Sequence, residues 1–118
     1  GFLIMPFINA RVTCKVSSKS ELRIKEALGK AISILPGKSE EWLMVGIQEN
    51  YHLYFQGNQD SDSAFIEVKV YGKASKEDYD DLTKRITDIF HSELAIPCER
   101  IYVEYEETPY WGFDGANF

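Results

Sequence analysis

Pro6 directly follows Met5, a pair at which an initiator methionine is commonly removed, and removal would leave Pro6 with a free secondary amine. The conjugate acid of such an amine normally titrates near or above the α-amino range of about 7.7 to 8.0. A dry, apolar surrounding disfavours the charged form and lowers that value, which gives a base suited to taking a proton from the carbon beside a carbonyl. In the plainer reading Pro6 only opens an edge strand, where a missing N–H is tolerated. Lys38 ends the run Pro36-Gly37-Lys38, a turn whose cation could hold a carboxylate substrate or simply be solvated. Tyr102, between Ile101 and Val103, offers a phenol that can donate to a carbonyl oxygen or pack as an apolar ring. Tyr110, Trp111, Phe113 and Phe118 crowd residues 108–118. They form either a tail docked on its own core or an aromatic wall for a small, ring-bearing substrate.

Other chemistries find little support. His52 and His91 are the only histidines and neither sits in an HxxxH pattern or beside a cysteine cluster, so no metal site is expected. There is no GxGxxG or Walker loop, and Gln56-Gly57-Asn58 reads as a turn. A serine nucleophile would lack both an elbow motif and a histidine partner. Cys14 and Cys98 are far apart with no CxxC, read as small core hydrophobes in a reduced, cytoplasmic protein.

The elements that must position these groups fit one domain, because 118 residues fall below the roughly 150 residues of a single typical domain. The formal charge is −6 and the basic residues are scattered, which argues against a nucleic-acid partner. No apolar run is long enough to span a membrane, and residues 2–5 are too short for the core of a signal peptide. Residues 7–16 alternate as a half-buried strand. Ser18 and Glu21 make a capping box, after which Leu22, Ile24, Leu28, Ala31, Ile32 and Leu35 recur at helical spacing until Pro36-Gly37. Residues 42–48 read as a buried strand and residues 53–55 as a short one. The pattern then repeats. Residues 64–71 alternate, Ser75 and Asp78 cap a second helix carrying Tyr79, Leu82, Ile86, Ile89, Phe90 and Leu94 on one face, Pro97 ends it, and residues 101–105 form a closing strand. The charges of that helix, Glu77, Asp78, Asp80 and Asp81 ahead of Lys84 and Arg85, suit a solvated face aligned with its dipole.

Duplicated β-α-β units predict an α+β, two-layer fold: a four-stranded sheet with two helices on one face, since each crossover is right-handed. The other sheet face then has no cover within the chain. Phe7, Tyr71, Tyr102 and Tyr105 are expected there, which predicts an oligomer. A ferredoxin-like monomer of the same element order is the alternative.

Taken together, Met5-Pro6-Phe7, Pro36-Gly37-Lys38 before a strand, the Tyr71-Gly72 strand end, Arg100-Ile101-Tyr102-Val103 and the terminal run from Trp111 to Phe118 resemble the macrophage migration inhibitory factor family of the tautomerase superfamily. The resemblance covers almost all of residues 5 to 118. It implies a β-α-β-β-α-β protomer with short extra strands for assembly into a homotrimer, and active sites between subunits that use no cofactor. By the same resemblance Pro6 is the catalytic acid-base in keto-enol tautomerisation of phenylpyruvate-like acids, and Lys38 binds the substrate carboxylate. Tyr71 would lend its backbone N–H, Tyr102 would come from a neighbouring subunit, and Trp111 and Phe113 would form the pocket wall.

The chain departs from the family pattern at three places. Glu104 stands two after Tyr102 where the family often has asparagine, so a carboxylate at the pocket rim could repel an anionic substrate and shift substrate preference. Ser63 and Ile66 occupy the positions of a CxxC pair, so no thiol-disulfide activity is implied. Ser39 replaces a frequent proline after Lys38. Residues 1–5 also precede Pro6 and are read as a non-native or uncleaved leader, with residues 6–118 as the domain. While they are attached, the Pro6 nitrogen is a tertiary amide without a proton or usable basicity. Two functions follow: a tautomerase of small α-keto or enol carboxylic acids, active with Pro6 free, or a non-catalytic trimeric binding or signalling module.

Overall fold

Alternating burial along each strand decides the architecture. The computed structural model describes residues 5–118, so the expected leader lies largely outside the described residues. Strand β1 (Pro6–Val12) alternates without a break, burying Pro6, Ile8, Ala10 and Val12. Strand β3 (Ala64–Tyr71) does the same with Ala64, Ile66, Val68 and Val70. The two run antiparallel, Pro6 opposite Val70. The outer strands β2 (Met44–Gln48) and β4 (Ile101–Thr108) run parallel to β1 and β3 respectively. The sheet order is therefore β2-β1-β3-β4, two β-α-β units joined at their first strands.

Helices α1 (Ser18–Ala31) and α2 (Lys76–Leu94) lie against the same sheet face, where Ile24, Leu28, Ile86 and Phe90 pack with the buried strand residues in one core. Phe90 is the largest fully buried side chain, so Phe90→Ala should destabilise the fold by about 3–5 kcal/mol, read as a lower urea midpoint at unchanged slope.

The start of α1 differs by one residue from the capping-box reading. Ser17 is the cap, its hydroxyl accepting from the Ser20 N–H at 3.1 Å. Leu22 is then turned outward and is 56% exposed. The helix also ends early, continuing as a 3-10 turn over Ile32–Ile34, since a tighter last turn brings Leu35 and Pro36 round to the strand. The second cap is as read, with Ser75 accepting from the Asp78 N–H at 3.1 Å.

Residues 53–55 form no strand of their own. Phe55 and Asn58 instead bond each other across the Gln56-Gly57 turn. Cys98 is exposed in a 3-10 turn, whereas Cys14 packs against the core as expected.

The uncovered face is real but is more polar than aromatic. Its middle carries an Arg11–Glu67 ion pair, a Lys69–Glu106 pair at 3.7 Å and an Asn9–Gln48 hydrogen bond at 3.4 Å. Phe7, Tyr71 and Tyr102 lie on this face, toward its ends. Tyr105 does not: a separation of three along a strand reverses the face. It lies under α2, its ring tilted against that of Tyr79 at 4.4 Å and its hydroxyl 2.8 Å from that of Thr83.

After β4 the chain turns into a two-stranded hairpin, β5 (Gly112–Phe113) with β6 (Ala116–Asn117). Asp114 and Gly115 both have positive φ, 51° and 83°, the signature of a tight two-residue turn that an Asp-Gly pair accepts. The hairpin does not bury its aromatics. Tyr110, Phe113 and Phe118 are 79%, 44% and 46% exposed.

Candidate active site

The first residue of β1 decides where the site lies. Pro6 is buried, on the helix-facing side and level with Val70 of β3 and Glu107 of β4. Beside it opens a cavity of about 330 Å³ lined by Met5, Pro6, Trp42, Met44, Trp111 and Phe113, among others. Its wall is a chain of ring contacts. The edge of Trp42 meets Phe113 at 5.5 Å, Phe113 stacks on Phe118 at 6.3 Å, and Phe118 reaches Tyr71 at 5.5 Å. The terminal hairpin presents Phe113 and Phe118 to this end of the sheet, with the Phe118 N–H donating to the Trp111 carbonyl at 3.0 Å.

Lys38 is placed by a turn that the sequence spells out. Pro36 suits the first central position and Gly37 the second, which needs the positive φ of 79° found there. The Lys38 N–H closes the turn on the Leu35 carbonyl at 3.1 Å. Its side chain is 4% exposed, and its Nζ has no hydrogen-bond partner. Burial lowers its pKa from the ordinary lysine value, and Glu107 opposes that shift. A buried ammonium without a partner is costly. The site therefore suits an incoming anion that would satisfy it.

The fold brings together only part of the expected set. Pro6, Trp111 and Phe113 share one cavity; Lys38 does not line it, but feels the charge of Glu107 at the same end of the sheet. The Tyr71 N–H is engaged by the Met5 carbonyl at 3.4 Å. Tyr102 and Glu104 stand apart. Tyr102 is level with Phe65 and Arg11, about 17 Å along the strands from Pro6, and both side chains project from the uncovered face. Neither can reach the Pro6 cavity of its own protomer.

At that far end Tyr102 is held between rings, 5.6 Å from Phe55 and 6.4 Å from Phe65. The Arg100 guanidinium lies over Phe55 at 5.1 Å, and its Nε donates to the Ser63 hydroxyl at 2.9 Å. Tyr102 nevertheless remains 57% exposed.

Trp42 and Met44 belong to the cavity and were not singled out in the sequence, where residues 42–48 read as one buried strand. The available signal was Glu40-Glu41 immediately before Trp42. Two carboxylates there favour a short helical turn, and the strand starts only at Met44. Among the described residues no cluster of three or more His, Cys, Asp or Glu could hold a metal ion. No helix among them is long and apolar enough to cross a membrane.

The sequence matches the macrophage migration inhibitory factor (MIF) family over residues 5–118. The structure is similar to that of Leishmania major MIF2, with 29% identity, TM-score 0.89 and 97% of each chain covered. It is also similar to the macrophage migration inhibitory factor homologue of Prochlorococcus marinus, with 25% identity, TM-score 0.85, and 95% of this chain and 98% of that one covered. A fused 4-OT described as a symmetric trimer shares the fold at TM-score 0.82 and 15% identity, with 94% of each chain covered. Among curated proteins, none matches the chain by sequence.

Proposed function

Since the chain belongs to the macrophage migration inhibitory factor family, we propose that it is a keto-enol tautomerase of small α-keto carboxylic acids of the phenylpyruvate kind, working without a cofactor once Pro6 is a free amine. The observation that carries this reading is the buried, unpartnered Lys38 ammonium, which feels the charge of Glu107 at the sheet end where the aromatic cavity opens beside Pro6. Lys38 takes the substrate carboxylate and the rings of Trp42, Trp111 and Phe113 cover the phenyl group. The Pro6 nitrogen accepts a proton from the carbon next to the ketone. That C–H bond breaks, its electron pair forms the enol double bond, and the resulting pyrrolidinium returns a proton to the former carbonyl oxygen. A secondary amine in a dry cavity titrates lower than it does in water, which keeps it basic and unprotonated near neutral pH.

Assembly as a homotrimer supports the rest of the site. A neighbour would bring Tyr102 to the carbonyl oxygen, a role in keeping with an exposed phenol that cannot serve its own protomer, and would place Glu104 at the same rim. The polar face would then be enclosed between subunits. A sedimentation mass of one protomer in solution overturns this assembly.

The reaction is tested on protein that begins at Pro6, its exposed amine checked by intact mass. Phenylpyruvate should tautomerise well above the buffer rate, and Pro6→Gly should lose most of that gain. A Pro6→Gly protein as active as its parent refutes the role of Pro6, and a parent no faster than buffer leaves the binding-module reading standing. Glu104 adds a specificity expectation. A carboxylate facing an anionic substrate weakens its binding by Coulomb repulsion, so Glu104→Gln should lower KM for phenylpyruvate while leaving KM for an uncharged ketone unchanged. Equal effects on both substrates would show that charge is not the cause.

A further inference from the structure

Glu107 sits on the helix-facing side of β4, level with Val70 and, one strand further, Pro6. Its charge reaches Lys38, yet the two make no ion pair within 4.0 Å, and the Lys38 Nζ stays free of hydrogen bonds. The reason lies on the other side of the carboxylate. Glu107 Oε2 accepts from the Tyr79 hydroxyl at 2.7 Å and from the Ala74 N–H at 3.3 Å. Tyr79 in turn is braced by Tyr105: the two rings lie tilted at 4.4 Å, and the Tyr105 hydroxyl donates to the Tyr79 backbone carbonyl at 3.1 Å.

From this arrangement we infer that Glu107 is a withheld counter-ion: tethered by Tyr79 and Ala74, it stays beyond contact distance of Lys38 and leaves the ammonium protons for the substrate carboxylate. A carboxylate in direct contact would satisfy Lys38 and compete with substrate. With no carboxylate nearby, nothing would oppose the lowering of the Lys38 pKa by burial. The tether holds the site between these outcomes, which makes Glu107 and Tyr79 positioning residues. Lys73 acts on Glu107 from the loop before α2, Glu40 is drawn to Lys25 at 3.9 Å, and Glu41 lines the Pro6 cavity.

The inference rests on the reading of Lys38 as the substrate clamp, but one arm of its test does not. In the whole chain without substrate, the Lys38 amine is titrated by 15N NMR of labelled lysine side chains, assigned by its loss in Lys38→Met. Glu107→Gln should lower its midpoint, and Tyr79→Phe, which frees the carboxylate to close on Lys38, should raise it. Unmoved midpoints overturn the inference whether or not the protein is an enzyme.

The second arm uses the Pro6-started protein. Tyr79→Phe should raise KM for phenylpyruvate about tenfold at nearly constant kcat, the effect of occupying one charge-assisted hydrogen bond. Adding Glu107→Gln to Tyr79→Phe should bring KM back toward the parent value, since no carboxylate is then left to compete. A loss common to KM, kcat and melting temperature, unrelieved in the double variant, would show a structural role only and refute the tether. Shifted NMR midpoints in a protein without turnover would separate failure of the tautomerase reading from failure of this one.

Discussion

Protein beginning at Pro6 should tautomerise phenylpyruvate about 10² to 10⁴ times faster than the chain carrying residues 1–5, the range that a positioned acid-base contributes. The cause is a single bond. While Met5 acylates Pro6, the nitrogen lone pair is delocalised into the amide and can accept no proton. The same cut has two further effects at the site. The Met5 carbonyl now takes the Tyr71 N–H at 3.4 Å, and the Met5 side chain, 5% exposed, lines the cavity. Removing Met5 releases a backbone donor and enlarges the space beside the amine.

The pH profile gives an independent check. A base works when unprotonated, so kcat/KM should rise with pH through the Pro6 midpoint, and burial should place that midpoint below the ordinary α-amino range of about 7.7 to 8.0. Matched preparations with and without residues 1–5, assayed by the absorbance of the enol, decide the matter. Equal rates in the two, above buffer, would mean that some other group is the base.

How far the site could be read from the chain depended on the kind of interaction that fixes each residue. Strand β3 and helix α2 were legible because local pattern and tertiary burial agree: Ala64, Ile66, Val68 and Val70 alternate, and Ser75 caps as its spacing requires. Lys38 was legible because Pro36-Gly37 permits essentially one turn. Leu22 misled because moving the cap from Ser18 to Ser17 belongs to the entry angle of the helix, which is set by packing rather than by the motif. Tyr105 misled through its aromatic type, although strand period alone puts it opposite Tyr102.

The relation of Glu107 to Lys38 had no local signature. It involves a turn residue, a residue near the end of the last strand and a tyrosine on a helix, and only the fold brings them to one end of the sheet. Recognition of five short motifs in register supplied the family, and the duplicated pattern supplied the layers. An uncovered sheet face implied an oligomer, and Tyr102 and Glu104 project from that face, away from the Pro6 cavity of their own protomer.

Lys38→Met should make the protein more stable and a worse binder at once. Methionine fills nearly the volume of the lysine stem without an ammonium to bury, and relieving one buried, unsatisfied polar group is worth roughly 1–3 kcal/mol. The sign can be checked by pH. Burial lowers the folded-state pKa of Lys38, with Glu107 opposing, whereas the unfolded chain keeps its proton up to about 10.5. Between those two values the unfolded state binds more protons, so parent stability should climb as pH rises. Below the depressed pKa both states are protonated and the full penalty remains.

The methionine variant has no such climb, so its advantage in urea should be largest at neutral pH and shrink toward pH 10.5. On the Pro6-started background the same change should raise phenylpyruvate KM by about 10- to 100-fold, the loss of one charged hydrogen bond, with a smaller effect on kcat. A destabilised variant of unchanged KM would mean that the ammonium is satisfied in solution and that the carboxylate is held elsewhere. Greater stability with weaker binding is what a cation kept unpaired for its substrate requires.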